Sequence, residues 1–153
     1  MGFDRNPGVL RRPPRDPAAP LLDRAALRFI ALSGSAKALI ALSLLAFVPR
    51  WLGQPPEVAA AAAFVFLGAG QLLFAYPARH TDMHPPRNWI LHATVVLSLA
   101  IQPLTILVPA LRPAFGTVRL PASVWAWVAT SMAASWAVAW GVGRWVWADR
   151  KVR

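Results

Sequence analysis

Gln71 is the side chain most able to do chemistry inside the apolar part of this sequence. It lies past the middle of an apolar stretch, beside Gly68 and Gly70. Its amide oxygen could face the interior of a helix bundle and ligate a cation, because amide oxygens are suitable ligands for hard cations. It could equally hydrogen-bond a neighbouring helix. The residues by themselves leave both alternatives open, and Gln71 is the one candidate cation ligand.

Two further polar residues, Lys37 and Gln102, interrupt apolar stretches. The long stem of Lys37 predicts that its ammonium group returns to water at the nearer membrane surface. Gln102 precedes Pro103, and we expect its amide to satisfy part of the backbone break that a proline makes in a helix. No carboxylate accompanies these residues at depth, because Glu57 and all aspartates fall in loops, arms or tails of the predicted arrangement.

A second candidate for metal chemistry is the pair His80 and His84 with Asp82 between them. Residues four apart share a helix face, but Pro85 and Pro86 stop any helix there and the zinc-protease pattern is not matched. We therefore predict a solvated loop and no metal site. The chain has no cysteine, so it offers no thiolate and no disulfide. We expect no catalytic residues, no cofactor and no enzyme activity from this chain by itself.

Composition indicates that long apolar helices carry these side chains. Of 153 residues, 57% are apolar and 14% charged, with a mean hydropathy of +0.46. A bilayer-spanning helix needs roughly 20 apolar residues. These features predict an all-α polytopic membrane protein, a four-helix transmembrane bundle over residues 24–153 that follows a basic, proline-rich cytosolic arm over residues 1–23. The predicted spans are about 24–48, 58–76, 88–108 and 122–147. Asp23 is the predicted N-cap of the first span, and Pro49 and Pro77 are expected to end the first and second spans.

Basic residues predict the orientation of these spans. If every span crosses the membrane, only Arg50, Arg112 and Arg119 lie on one side, and the other basic residues outside the spans lie opposite. The positive-inside rule then places both termini in the cytoplasm. The net charge of +10 indicates anionic lipid head groups, not nucleic acid, as the partner. We expect an integral protein of the plasma (inner) membrane of a prokaryote.

Small residues recur every four positions in the last predicted span. Such a ridge lets helix backbones approach closely, which replaces the hydrophobic effect that lipid does not supply. Packing inside the four-helix set and docking onto a separate helix bundle are both open alternatives. The residues of this ridge are Ala129, Ala133, Ala137 and Gly141.

Several phrases of the sequence, in order, resemble the C-terminal membrane domain of type II P-type cation-transporting ATPases, helices seven to ten. The resemblance covers nearly the whole chain. The phrases are 8–15 (GVLRRPPR), 28–34 (RFIALSG), 63–72 with Arg79, 88–91 (NWIL), and Gln102 with 108–109, 115–120 and Trp125.

The resemblance implies a role but not a complete pump. The family's phosphorylated Asp-Lys-Thr-Gly motif has no counterpart here, and helices one to six would belong to a catalytic partner chain. The domain would then be detached or truncated and would buttress the transport helices. Gln71 falls where related calcium pumps have an acidic or amide ligand on the eighth helix, which implies a cation-binding role for it.

Two other functions compete with this interpretation. The chain could be an independent small membrane protein that interacts with itself or with a pump through the small-residue ridge. It could also be a small secondary transporter. The scarcity of ionisable groups within the spans disfavours the transporter, because coupling ions and proton relays need such groups at depth.

Overall fold

Helices joined by short turns and loops make up the part of the chain that the structure, a computed structural model, describes: residues 22–79 and 89–148. No strand occurs in these two ranges, so the predicted all-α class is confirmed. A 3₁₀ turn at Pro109–Leu111 joins two short helices. The helices are α1 (Arg24–Leu52), α2 (Pro56–Leu73), α3 (Ala75–Arg79), α4 (Trp89–Ile101), α5 (Leu104–Leu107), α6 (Arg112–Phe115) and α7 (Ala122–Ala148).

Three helical segments within the described ranges are long and apolar enough to cross a membrane. They are Arg24–Leu52, Pro56–Pro77 and Trp89–Leu107. The last helix, α7, has 27 residues but does not reach the same hydropathy. It contains six of the eight tryptophans, whose indole N–H groups make them less apolar than aliphatic side chains. The fourth span therefore stays a prediction.

The first helix begins as the sequence predicts but ends later. Asp23 is its N-cap, and the backbone N–H of Ala26 donates to the Asp23 carboxylate over 2.7 Å. The expectation that Pro49 ends the helix is wrong, because α1 continues through it to Leu52. A proline removes only one N–H donor, and the last turn is closed by Gly53 (φ 61°), whose N–H bonds to the carbonyl oxygen of Val48.

Proline has the predicted effect at Pro103 but not at Pro77. Pro103 separates α4 from α5, whereas Pro77 lies inside α3, after a single turn residue has ended α2 at Leu73. The carbonyl oxygen of Gln102 accepts a hydrogen bond from the Thr105 hydroxyl over 2.8 Å. The Thr105 hydroxyl thus bonds the backbone carbonyl of Gln102, and the expected role of the Gln102 amide stays a prediction.

The core lies where α1, α2 and α7 pack against one another, with α4 packed mainly on α2. Its side chains are small and branched apolar groups around one phenylalanine, and α5 contributes Ile106. In α4 only Val95 is buried. Three helices thus form the packed centre, and α4 lies at its side. The most buried core residues include Leu44, Val48, Ala62, Phe66, Ile106, Val124 and Val128.

Candidate functional site

Lys37 belongs to the face of α1 that packs against the rest of the domain. Phe29, Ser33, Ala41 and Leu44 are buried along this face, and Lys37 occupies the helix position between Ser33 and Ala41. Residues four apart lie above one another on a helix. The stem of Lys37 therefore starts in the interface between helices, and the side chain itself is half-buried.

The ammonium group of Lys37 crosses to the neighbouring helix. Its Nζ donates a hydrogen bond to Oε1 of Gln71 over 2.7 Å. Gly70 makes room for this contact, because a Cβ atom at Gly70 would lie 3.2 Å from Cε of Lys37. We call this pair the Lys37–Gln71 crossing. The expectation that Lys37 simply extends to water is incomplete, since a side chain of the next helix receives its ammonium group.

Gln71 lies on the outward face of α2. The residues of this face, spaced four, three and four apart, are all exposed: Ala60, Phe64, Leu67 and Gln71. The side chain therefore does not face the interior of the described bundle, although its amide oxygen bonds the neighbouring helix. Of the two alternatives that the sequence left open, the cross-helix hydrogen bond is observed. Cation binding by Gln71 stays a prediction, and a cation would compete with Lys37 for the same oxygen.

Gly68 receives a second polar side chain on another side of α2. A Cβ atom at Gly68 would lie 2.9 Å from Cδ of Gln102, which is too close for two carbons. The two glycines that flank Ala69 thus make room for an ammonium side chain from α1 and an amide side chain from the turn between α4 and α5. The sequence placed Gln71 beside these glycines, but it did not indicate which side chains they would accommodate.

A second group of polar contacts lies in the segment of residues 103–117, which we call the proline turn. The Thr117 hydroxyl donates to the carbonyl oxygen of Thr105 over 2.6 Å, and both threonines are buried. Arg112 donates from Nε to the carbonyl oxygen of Ile106 over 2.7 Å. This group of contacts was not predicted, because its signal in the sequence is only an arginine and a threonine among closely spaced prolines.

The small-residue ridge of α7 points away from the other helices. All four of its residues, Ala129, Ala133, Ala137 and Gly141, are exposed. A Cβ atom at Gly141 would meet no atom within 4 Å. The inner face of α7 is instead formed by Val124, Val128, Ala139 and other residues. Packing of the ridge inside the domain is therefore not observed, and docking onto another helix stays a prediction.

The histidine hypothesis concerns residues beyond the described part of the chain. His80, Asp82 and His84 lie between the two described ranges, so the prediction of no metal site there stays a prediction. Within residues 22–79 and 89–148, no group of three or more His, Cys, Asp or Glu side chains could hold a metal ion. The remaining histidine, His92, pairs through Nδ1 with the Tyr76 hydroxyl at 3.0 Å.

Long apolar helices with polar side chains joined between them define the class of this protein as a helical membrane domain. The family model for the C-terminus of cation-transporting ATPases matches residues 1–145. The chain therefore belongs to this family, as the resemblance of its phrases to P-type ATPases predicts. No curated protein and no solved structure matches the chain.

Proposed function

We propose that this domain supports the ion-transport helices of a cation-transporting P-type ATPase. The observation that carries the proposal is the family match over residues 1–145. The partner would be a catalytic part with membrane helices one to six, in the same or in a separate polypeptide. The 153 residues by themselves would not hydrolyse ATP, since the phosphorylation motif of the family is not among them.

The apolar exterior of the long helices supports this role. Leu39 and Leu42 of α1 are 67% and 61% exposed, and Leu97 of α4 is 62% exposed. Surfaces of this kind suit lipid or further helices, not water. α4 in particular buries only Val95 against the described helices. A domain with such faces can present one side to lipid and another to a neighbouring helix bundle.

We further propose that α7 is a fourth span and that both termini face the cytoplasm. The helix has 27 residues, enough to cross a core of roughly 30 Å. Four crossings place nearly all basic residues on one side, as the positive-inside rule requires. This topology suits the inner membrane of a prokaryote. Reporter fusions after residue 153 and in the 53–55 loop should give opposite compartments.

Complementation tests the supporting role. A cation-transporting P-type ATPase of this family, shortened to end after its sixth membrane helix, is co-expressed with the chain in cells that lack other cation pumps. We expect the two polypeptides to co-purify and ATP-dependent cation uptake to return in inside-out vesicles. A Phe66→Asp chain, which disrupts the buried core, is the control that should not restore uptake. Absence of both co-purification and uptake with the unaltered chain would contradict the proposal.

The same complex distinguishes two possible roles of Gln71, which are joining two helices and ligating the transported cation. If Gln71 ligates the transported cation, Gln71→Ala should raise the cation concentration at half-maximal uptake. If it only joins two helices, the variant should change the amount of assembled complex and leave that concentration unchanged. We propose the second result, because the Gln71 oxygen already accepts a hydrogen bond from Lys37. Leu67→Ala, on the same outward face, is the matched control.

Self-association through the α7 ridge is a second candidate function, favoured by the exposure of all four ridge residues. The chain contains no cysteine, so a single introduced thiol reports one position. Disulfide cross-linking of Ala133→Cys in membranes, with Ala134→Cys on the adjacent exposed face unlinked, would support the homo-oligomer. Equal behaviour of both variants would exclude a specific ridge interface.

A further inference from the structure

The ammonium group of Lys37 has no carboxylate near it within the described residues. The two acidic residues described, Asp23 and Glu57, lie at helix ends. Asp23 is about 20 Å along α1 from Lys37, and Glu57 is about 20 Å along α2 from Gln71. The other four acids of the sequence lie outside the described ranges and outside the predicted spans. The partner found for Lys37 is the neutral amide of Gln71.

Lys37 also lies deep in the predicted membrane. It is near the middle of α1, about 14 Å along the axis from Arg28 and about 20 Å from Arg50. Those arginines mark the two ends of the apolar stretch. Charged side chains at such depth are rare, and they pair with other groups or face polar cavities. Among the described residues, the ammonium group at this depth therefore has one neutral acceptor and no carboxylate to pair with its charge.

The geometry places the Lys37 ammonium group at the exposed face of α2. The stem of Lys37 starts in the helix interface and passes over Gly70, and its head reaches Gln71 on the exposed face of α2. An ammonium group has three donors, and an amide that accepts at Oε1 keeps two N–H donors at Nε2. The Lys37–Gln71 crossing thus offers a positive charge and amide donors at one place on an otherwise apolar face of Phe64 and Leu67.

We propose that the crossing binds the carboxylate of an Asp or Glu on a neighbouring transmembrane helix. The ammonium would form the ion pair, and the Gln71 amide would donate a second hydrogen bond to the same carboxylate. This inference rests on the proposed function for the identity of the neighbour, a membrane helix of the remaining ATPase. It adds the contact point and the chemistry of the partner.

Two other occupants fit this surface less well. A second copy of the chain would bring a second Lys37 to the same depth, where its own acids do not reach. A lipid phosphate lies at the head-group level, roughly 15 Å from the bilayer centre. The Lys37 head reaches toward that level only as far as Gln71, whose amide oxygen accepts its hydrogen bond. Charge and depth together favour an intramembrane carboxylate.

A peptide of defined sequence tests the proposal. The full chain, labelled at Ser123→Cys with a donor dye, is placed in phosphatidylcholine vesicles with an acceptor-labelled leucine–alanine transmembrane peptide that has one central Asp. Energy transfer should show at least tenfold tighter association than with the matched Asn or Leu peptide. Moving the Asp two helical turns toward either end should abolish this preference.

Variants of the chain test whether the preference for the Asp peptide depends on the charge of Lys37 or on the shape of its side chain. Lys37→Met should remove the preference for the Asp peptide, and Lys37→Arg should retain it. Lys37→Gln is a second neutral variant that keeps polarity, and circular dichroism checks that each variant remains helical. Leu39→Met, on the same helix, is the control that should behave like the unaltered chain. Equal binding of Asp and Asn peptides, or an unchanged preference in folded Lys37→Met, would overturn the proposal.

The same vesicles assess the competing occupants. Loss of the Asp preference when phosphatidylglycerol is added would assign the site to anionic lipid head groups, and Lys37-dependent self-association would assign it to a second copy. Either result overturns the inference. Failure of the complementation experiment with Asp-peptide binding intact would reject only the ATPase role, whereas complementation without peptide binding would reject only the carboxylate site.

Discussion

The proline turn and the Lys37–Gln71 crossing both join separate elements through polar side chains, but they differ in what surrounds the contact. In the proline turn, Thr105 and Thr117 are 7% and 6% exposed, and the hydroxyl of Thr117 bonds a backbone carbonyl. In the crossing, Gln71 is exposed and the donor is a charged ammonium. One contact is enclosed by the fold, and the other is open to a neighbour.

The difference indicates the role of each contact. A buried carbonyl freed by a helix break must be satisfied inside the domain, because an unpaired buried polar group is costly. Arg112 and Thr117 meet this need locally at Ile106 and Thr105. A single hydrogen bond between transmembrane helices contributes only about 0.6 kcal/mol on average. The crossing therefore adds little to the fold and can serve recognition.

The largest expected effect is in the enclosed contact. Thr117→Val keeps the shape of the side chain but removes the donor to the carbonyl oxygen of Thr105. We expect the free energy of unfolding to fall by about 2 kcal/mol, the cost of an unsatisfied buried acceptor. Titration with sodium dodecyl sulfate, followed by tryptophan fluorescence, measures this change.

Thr130 provides the matched control for that substitution. Its hydroxyl bonds the carbonyl oxygen of Ala126 within the same helix, and the side chain is exposed. Thr130→Val should change the stability by less than about 0.5 kcal/mol. Equal losses of stability at Thr117 and Thr130 would show that burial of the proline-turn contact does not increase its contribution to stability.

A smaller effect is expected at Gly68, next to the crossing. Gly68→Ala places a methyl group against Cδ of Gln102. The amide end of Gln102 can move, so we expect a loss of about 1 kcal/mol, at the low end of the cost of overpacking. The same detergent titration measures it.

Gly141→Ala is the control for crowding, since a Cβ atom there meets no neighbour within 4 Å. It should be neutral or slightly stabilising, because alanine favours a helix over glycine. Adding Gln102→Ala to Gly68→Ala should recover part of the loss. If the double variant is no more stable than Gly68→Ala, the close approach of Gln102 does not cause the loss of stability.

The smallest expected effect is Lys37→Met in the isolated chain. It removes the hydrogen bond to Gln71 but also removes a charge from the predicted membrane interior. We expect the free energy of unfolding to change by less than about 0.6 kcal/mol, the mean contribution of such a bond between membrane helices. A loss as large as that of Thr117→Val would mean that the crossing stabilises the fold as the proline turn does. The proposed difference in role between the two contacts would then be wrong.

Local sequence signals predicted several elements because their causes are local. Asp23 caps α1 through a backbone N–H three residues away, and Pro103 interrupts α4–α5 through its own missing donor. The expectation that a proline ends a helix was wrong at Pro49, where the helix continues and Gly53 closes the final turn. A proline in the last turn of a helix can be tolerated when the following residues restore the hydrogen bonds.

Only part of the candidate site could be predicted, because the sequence reveals local causes and not contacts between distant residues. Gln71 could be singled out as a polar residue within an apolar stretch, beside Gly68 and Gly70. Its partner could not, because Lys37 is 34 residues away in the chain. The ridge of α7 was visible as a spacing of four, but its outward direction depends on how the helix is rotated.

Composition and periodicity are enough to predict that this protein is helical and apolar enough to span a membrane. The resemblance of short sequence segments to the C-terminal domain of cation-transporting ATPases is a separate signal, which the family match confirms. These properties follow from side chains a few residues apart. The contact of Lys37 with Gln71 over Gly70 and the packing of Gln102 on Gly68 became apparent only from the arrangement of the helices. Such contacts depend on the rotation and depth of whole helices, which packing between helices determines.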